Sequence, residues 1–167
     1  NGLLAMVGAS AGSGVNRQLD GSEPIDIGND FYAHIRHTSS GLYLTDKDYN
    51  VSAQPGVFDG SQTWHFVRQG DGSYTISSNG GYHMDVAGAD YNDGVNIQMY
   101  EGNGSAAQKF FVYYIHGNHY LRTVPSDKTL DVDAGTKNLQ LFGNTSGVFS
   151  TELEKNARSF EILKLQL

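Results

Sequence analysis

Asp85 is followed thirteen residues later by Gln98 and fifteen later by Tyr100; Asp131, Gln140 and Phe142 repeat the series at nine and eleven. Each of these residue types has a role in holding a sugar. A carboxylate accepts hydrogen bonds from neighbouring hydroxyls, an amide both donates and accepts, and an aromatic ring packs the apolar C–H face of a pyranose. Asn138 adds an amide in the second series, and Asn103, from a nearby loop, is a candidate partner for a hydroxyl in the first. The chemistry is recognition rather than turnover. Asp85 and Asp131 are the one pair to consider for glycoside cleavage, which needs two carboxyls within roughly 5–10 Å. They fall in different repeats, which the expected fold holds far apart.

These side chains share a face only if the chain around them is extended. Period-two alternation supplies that. Tyr82, Met84 and Val86 oppose His83 and Asp85; Val95, Ile97 and Met99 oppose Asn96, Gln98 and Tyr100. Leu139 and Leu141 oppose Asn138, Gln140 and Phe142, so the Phe142 ring is expected on the surface unless the insertion 143–156 covers it. The pattern occurs three times. Segments 41–45 (GLYLT), 81–85 (GYHMD) and 129–132 (TLDV) open short strands, and Gln54, Gln98 and Gln140 mark the strands that follow. Each copy closes on a polar residue, a spacer and an aromatic: Gln62-Thr63-Trp64, Gln108-Lys109-Phe110 and Arg158-Ser159-Phe160. A period of this length means one supersecondary unit reused. In the first copy Thr45 stands where the Asp belongs and Pro55 follows Gln54, so that site is expected to be degenerate.

The 167 residues make one domain, with a net charge of −7 and no cysteine. The acidic balance speaks against a nucleic-acid partner, and no run has the length to span a membrane. The 21 glycines, 10 tyrosines and 8 phenylalanines against 3 prolines suit short strands joined by tight turns. An all-β fold follows, and the threefold repeat selects a β-trefoil. Its expected extent is 30–167, with repeats near 30–70, 71–116 and 117–167. Residues 1–29, rich in Gly, Ala and Ser, read as a linker-like or vector-derived lead. One helical turn is expected near 151–158. Gly8-Ala9-Ser10-Ala11-Gly12 matches a hydrolase elbow by chance, lacking its strand and helix. His34 with His37, and His116 with His119, are poor metal pairs. The loop 90–94 (DYNDG) reads as a turn rather than a calcium site. No metal and no cofactor is expected.

The stretch 85–110 (DVAGADYNDGVNIQMYEGNGSAAQKF) resembles the repeat of ricin-type β-trefoil lectins, also classed as family 13 carbohydrate-binding modules. Shared features are the Asp-Val opening, the Gly before the third strand, a Gln followed by an aromatic, and the Gln-x-Trp closure, complete at Gln62-Thr63-Trp64. The resemblance covers most of the chain from Phe31 onward. It implies Asp85 and Asp131 as hydroxyl acceptors, Tyr100 and Phe142 as stacking rings, and Gln98 and Gln140 as assisting amides. It also implies galactose-, arabinose- or xylose-containing polysaccharide or oligosaccharide as ligand. The expected role is a non-catalytic module covalently linked to a secreted, bacterial glycoside hydrolase. A toxin or adhesin lectin for host galactosides and a protein-interaction trefoil are the alternatives.

Overall fold

The computed structural model describes residues 17–143 and 152–166. Among these, twelve strands form in three sets of four. The first set is β1 (Asp30–His37), β2 (Tyr43–Lys47), β3 (Asn50–Gln54) and β4 (Trp64–Arg68). The second is β5 (Tyr74–Ser77), β6 (His83–Val86), β7 (Ile97–Tyr100) and β8 (Phe110–Ile115). The third is β9 (Asn118–Thr123), β10 (Thr129–Val132), β11 (Leu139–Phe142) and β12 (Phe160–Lys164), with helix α1 (Glu152–Arg158) between its last two strands.

The outer strands of each set close a barrel. β1 pairs β4, β4 pairs β5, β5 pairs β8, β8 pairs β9, β9 pairs β12, and β12 returns to β1, all antiparallel. Closure removes the free edges that an open sheet would present. The inner strands form three hairpins, β2–β3, β6–β7 and β10–β11, which cap the barrel. This is a β-trefoil with three pseudo-symmetric repeats.

Alternation sets the register. In β6–β7, Met84 faces Met99 and Val86 faces Ile97 on the core side, while Asp85 faces Gln98 on the other. In β10–β11, Leu130 faces Leu141 and Val132 faces Leu139, with Asp131 opposite Gln140. Trp64, Phe110 and Phe160, the closing aromatics, are fully buried at the start of β4, β8 and β12. The Trp64 Nε1–H donates to the Leu44 carbonyl at 3.0 Å, so the ring also satisfies its one polar atom.

The first-copy marker differs from the sequence reading. Thr45 faces Ser52 and Tyr43 faces Gln54. Ser52 therefore occupies the place of Gln98 and Gln140, and Gln54 that of Tyr100 and Phe142. The β2–β3 connection is the short one, so counting from the preceding strand misplaces the amide by two residues.

Residues 17–29 are not a free lead. Leu19 is buried against Phe111, Tyr113, Ile115 and Tyr120. The Ile25 N–H donates to the Val112 carbonyl at 2.8 Å, and the Ile27 N–H to the Tyr74 hydroxyl at 2.9 Å. A few apolar residues in a Gly- and Ser-rich context carry no period, so composition alone hid a segment that packs on the barrel wall. Residues 1–16, with the Gly8–Gly12 motif, lie outside the described residues, as does 144–151.

Candidate functional site

The β6–β7 hairpin places Asp85, Gln98 and Tyr100 on one face. Tyr100, opposite His83 at the strand end, is 53% exposed, and no other aromatic ring packs on it among the described residues. Asp85 lies at the floor, only 6% exposed. Its Oδ1 accepts from Gln98 Nε2 at 3.1 Å and its Oδ2 from Gln108 Nε2 at 2.9 Å. It forms no ion pair among the described residues, so the carboxylate is oriented by neutral amides alone. Tyr91, half-buried in the 87–94 connection, stands close enough for the Asp85 charge to add to burial in raising its phenol pKa.

Gln108 ties this floor to a wall. Besides Asp85, its Nε2 donates to the Glu101 carbonyl at 2.9 Å, and its Oε1 accepts the Asn103 N–H at 3.0 Å. Asn103 is exposed, and its Oδ1 accepts the Ser105 N–H. Its amide NH2 has no protein partner among the described residues, and so can donate outward. A Cβ added at Gly102 would lie 2.7 Å from His83 Nε2, so any side chain there has to displace the His83 ring.

The third repeat has the same parts in a different electrostatic state. Gln140 Nε2 donates to Asp131 Oδ1 at 3.0 Å, but Asp131 Oδ2 pairs with Arg158 Nε at 3.2 Å, and both side chains are buried. The guanidinium carbon also lies 5.9 Å from the centre of the Phe142 ring, which is 36% exposed. Arg158 therefore neutralises the carboxylate and engages the ring. Whether the insertion covers Phe142 turns on 144–151, outside the described residues.

A family model described as ricin-type beta-trefoil lectin domain-like matches residues 25–100 and 60–141. The chain belongs to this family. A search of curated protein sequences finds no match. Among solved structures, the designed threefold-symmetric protein ThreeFoil superposes with a TM-score of 0.70 at 23% identity, covering 80% of this chain and 99% of its own. A Polyporus squamosus lectin, solved with the epitope Neu5Acα2-6Galβ1-4GlcNAc, gives 0.72 at 18% identity, covering 84% and 51%. An exo-β-1,3-galactanase from Clostridium thermocellum gives 0.69 at 18%, covering 81% and 30%. The chain thus spans about half the length of that lectin and under a third of that galactanase. At these identities the likeness is one of fold.

Within this ricin-type trefoil the first repeat departs furthest. Gln62 keeps the linking role: its Oε1 accepts the Val57 and Phe58 N–H groups, and its Nε2 donates to the Pro55 carbonyl and to Thr45 Oγ1. Thr45 thus takes Asp85's structural bond without its charge. Gln54 donates to Ser52, leaving no carboxylate and no stacking ring at the shared positions.

The Asn138 amide, expected at the third-repeat site, is instead bonded to the other two repeats. Asn50 Nδ2 donates to Asn138 Oδ1, Asn138 Nδ2 to Asn96 Oδ1, and Asn96 Nδ2 to Asn50 Oδ1, each at 2.8 Å. The three amides form a closed ring between the hairpins, one from each repeat, and both atoms of the Asn138 amide are used. Outward parity is necessary for a ligand-facing side chain, but beside the pseudo-threefold axis it points at another repeat.

The loop 90–94 is a turn: Asp90 Oδ1 accepts both amide groups of Asn92. Asp93 accepts the Gly143 N–H at 2.7 Å and pairs with Lys128 at 3.3 Å, and the Gly143 bond is the main cause of its lowered pKa. This loop therefore braces the second hairpin against the third. Sequence reasoning missed Tyr91 and the joining role of Gln108. The signals were there: Tyr91 is the lone aromatic between Asp85 and Gln98, and Gln108 heads the closing step that recurs at Gln62.

Proposed function

We propose that this chain is a non-catalytic carbohydrate-binding domain whose principal site is the second-repeat pocket. The observation that carries the reading is Asp85, a carboxylate without a cationic partner among the described residues, held by two amides beside the exposed Tyr100 ring on the same face. A sugar ring stacked on Tyr100 would turn two adjacent hydroxyls toward Asp85, with Gln98 and Asn103 at its edges. The third-repeat pocket, with Asp131 already paired, is the weaker one.

Galactose-containing glycans are the favoured ligands, with arabinose- and xylose-containing polymers next. Support comes from the galactose in the epitope bound by the Polyporus lectin and from the galactanase among the structural neighbours. The small share of the galactanase that this chain covers fits an accessory domain joined to a secreted glycoside hydrolase. One ring of about a dozen heavy atoms, at roughly 0.3 kcal/mol each, yields about 3–4 kcal/mol, near-millimolar affinity. That suffices for a domain that keeps an enzyme on an insoluble polymer.

Affinity electrophoresis through galactan, arabinan, xylan and galactosylated mucin tests this. The wild type should be retarded by at least one polymer, and Tyr100→Ala should lose roughly tenfold in affinity, with Phe142→Ala losing less. Equal retardation of wild type and Tyr100→Ala overturns the assignment.

A further inference from the structure

A cleft of about 670 Å³ lies between the first and second repeats and shares no residue with the Asp85 pocket. Its size is in the range of small-ligand sites. One wall is the β2–β3 turn, where Asp48 and Tyr49 have φ of 53° and 61°. Two-residue hairpin turns of this hand ordinarily carry Asn-Gly, and a bulky residue there is a steric outlier. The turn projects Tyr49 outward, 64% exposed, with its ring 5.1 Å from that of Tyr82 at 32°. Tyr82 comes from the β5–β6 connection and is also exposed, so the two rings line the cleft from two repeats.

The charge in the cleft is one-sided. Asp46 and Asp48 from the hairpin and Asp59 from the next loop line it, and none has an ion-pair partner among the described residues. The Ser61 hydroxyl and N–H bonds lower the Asp59 pKa and keep it ionised. No three carboxylate or imidazole groups among the described residues converge to hold a metal ion. Ser78, 6% exposed, also lines the cleft, and its buried hydroxyl has no hydrogen-bond partner among the described residues. Asn79 adds an exposed amide. Aromatic faces with uncompensated carboxylates attract an organic cation, and the neutral Asn79 amide suits a hydroxylated ring.

We propose that this cleft binds a protonated amino sugar, its ring against Tyr49 and Tyr82 and its ammonium toward Asp46, Asp48 and Asp59. A neutral sugar would bring no positive charge to set against these carboxylates. The site is independent of the second-repeat pocket and stands or falls separately.

The test is calorimetric titration with a β-1,4-linked glucosamine tetramer, its fully N-acetylated counterpart and tetralysine. The glucosamine tetramer should bind at least tenfold more tightly than either of the others. Tyr49→Gly, which suits the turn's backbone, and the double variant Asp46→Asn/Asp48→Asn should each lower its affinity roughly tenfold, while Tyr100→Ala leaves it unchanged. The proposal is overturned if the glucosamine tetramer fails to bind, if the acetylated form binds equally, or if tetralysine binds equally. Loss in Tyr100→Ala with retention in Tyr49→Gly overturns it too, by moving the ligand to the other pocket.

Discussion

Gln62, Gln108 and Arg158 occupy one position in three repeats, and their differences set the state of each neighbouring pocket. Gln108 leaves the Asp85 charge intact; Arg158 cancels that of Asp131. Replacing Arg158 by Met strands a buried carboxylate and should cost about 3–5 kcal/mol in urea unfolding. Arg158→Gln, which restores the amide of the other two repeats, should cost clearly less and strengthen sugar binding at Phe142. Gln108→Ala removes the partner of Asp85, Glu101 and Asn103 together, and should lose about 2–4 kcal/mol of stability along with sugar binding. His37 gives a pH dependence. Its ring is buried, hydrogen-bonded to the Ala157 carbonyl and Ser40, and burial lowers its pKa from 6.5. Above pH 6.5 both folded and unfolded chains hold it neutral. As pH falls below that value the unfolded chain takes up the proton first, so stability is lost. His83 and His119, lowered chiefly by burial as well, act in the same direction. The melting temperature should therefore decline on acidification below pH 6.5, and less steeply in His37→Gln.

The hairpins are where equivalent elements acquire different work. β2–β3, β6–β7 and β10–β11 share one register and one buried face, yet they end in an acidic two-residue turn, a braced ten-residue loop and a six-residue loop. What they share is the Asn50–Asn96–Asn138 ring that locks their inner corners. Asn96→Ala leaves one acceptor and one donor of its neighbours short of a partner and should cost about 1–3 kcal/mol in thermal or urea unfolding. The triple replacement by Ala should cost less than three single losses, because it leaves no orphaned amide. Additive losses would show that the three amides do not act as a unit.

At the scale of the whole molecule, six strands from three repeats close one barrel, so no repeat can bury its own face alone. Alternation and the closing aromatics were legible before any coordinates: Met84, Val86, Ile97 and Leu139 are core, and Trp64, Phe110 and Phe160 lie fully inside. The parity that puts Asp85 and Tyr100 on one face was legible for the same reason, since neighbouring strand residues must point to opposite sides. The fate of an outward side chain was not. Gln140 bonds Asp131 while Asn138, two residues earlier on the same face, joins a ring of asparagines. Tyr49 and Tyr82, thirty-three residues apart, meet only because the second repeat packs beside the first hairpin. The sequence alone determined the fold class, the repeat and the sidedness of each strand, because these depend on local period and steric rules. Only the tertiary structure decided which carboxylate keeps its charge and which residues of different repeats meet, because those outcomes depend on partners distant in the chain.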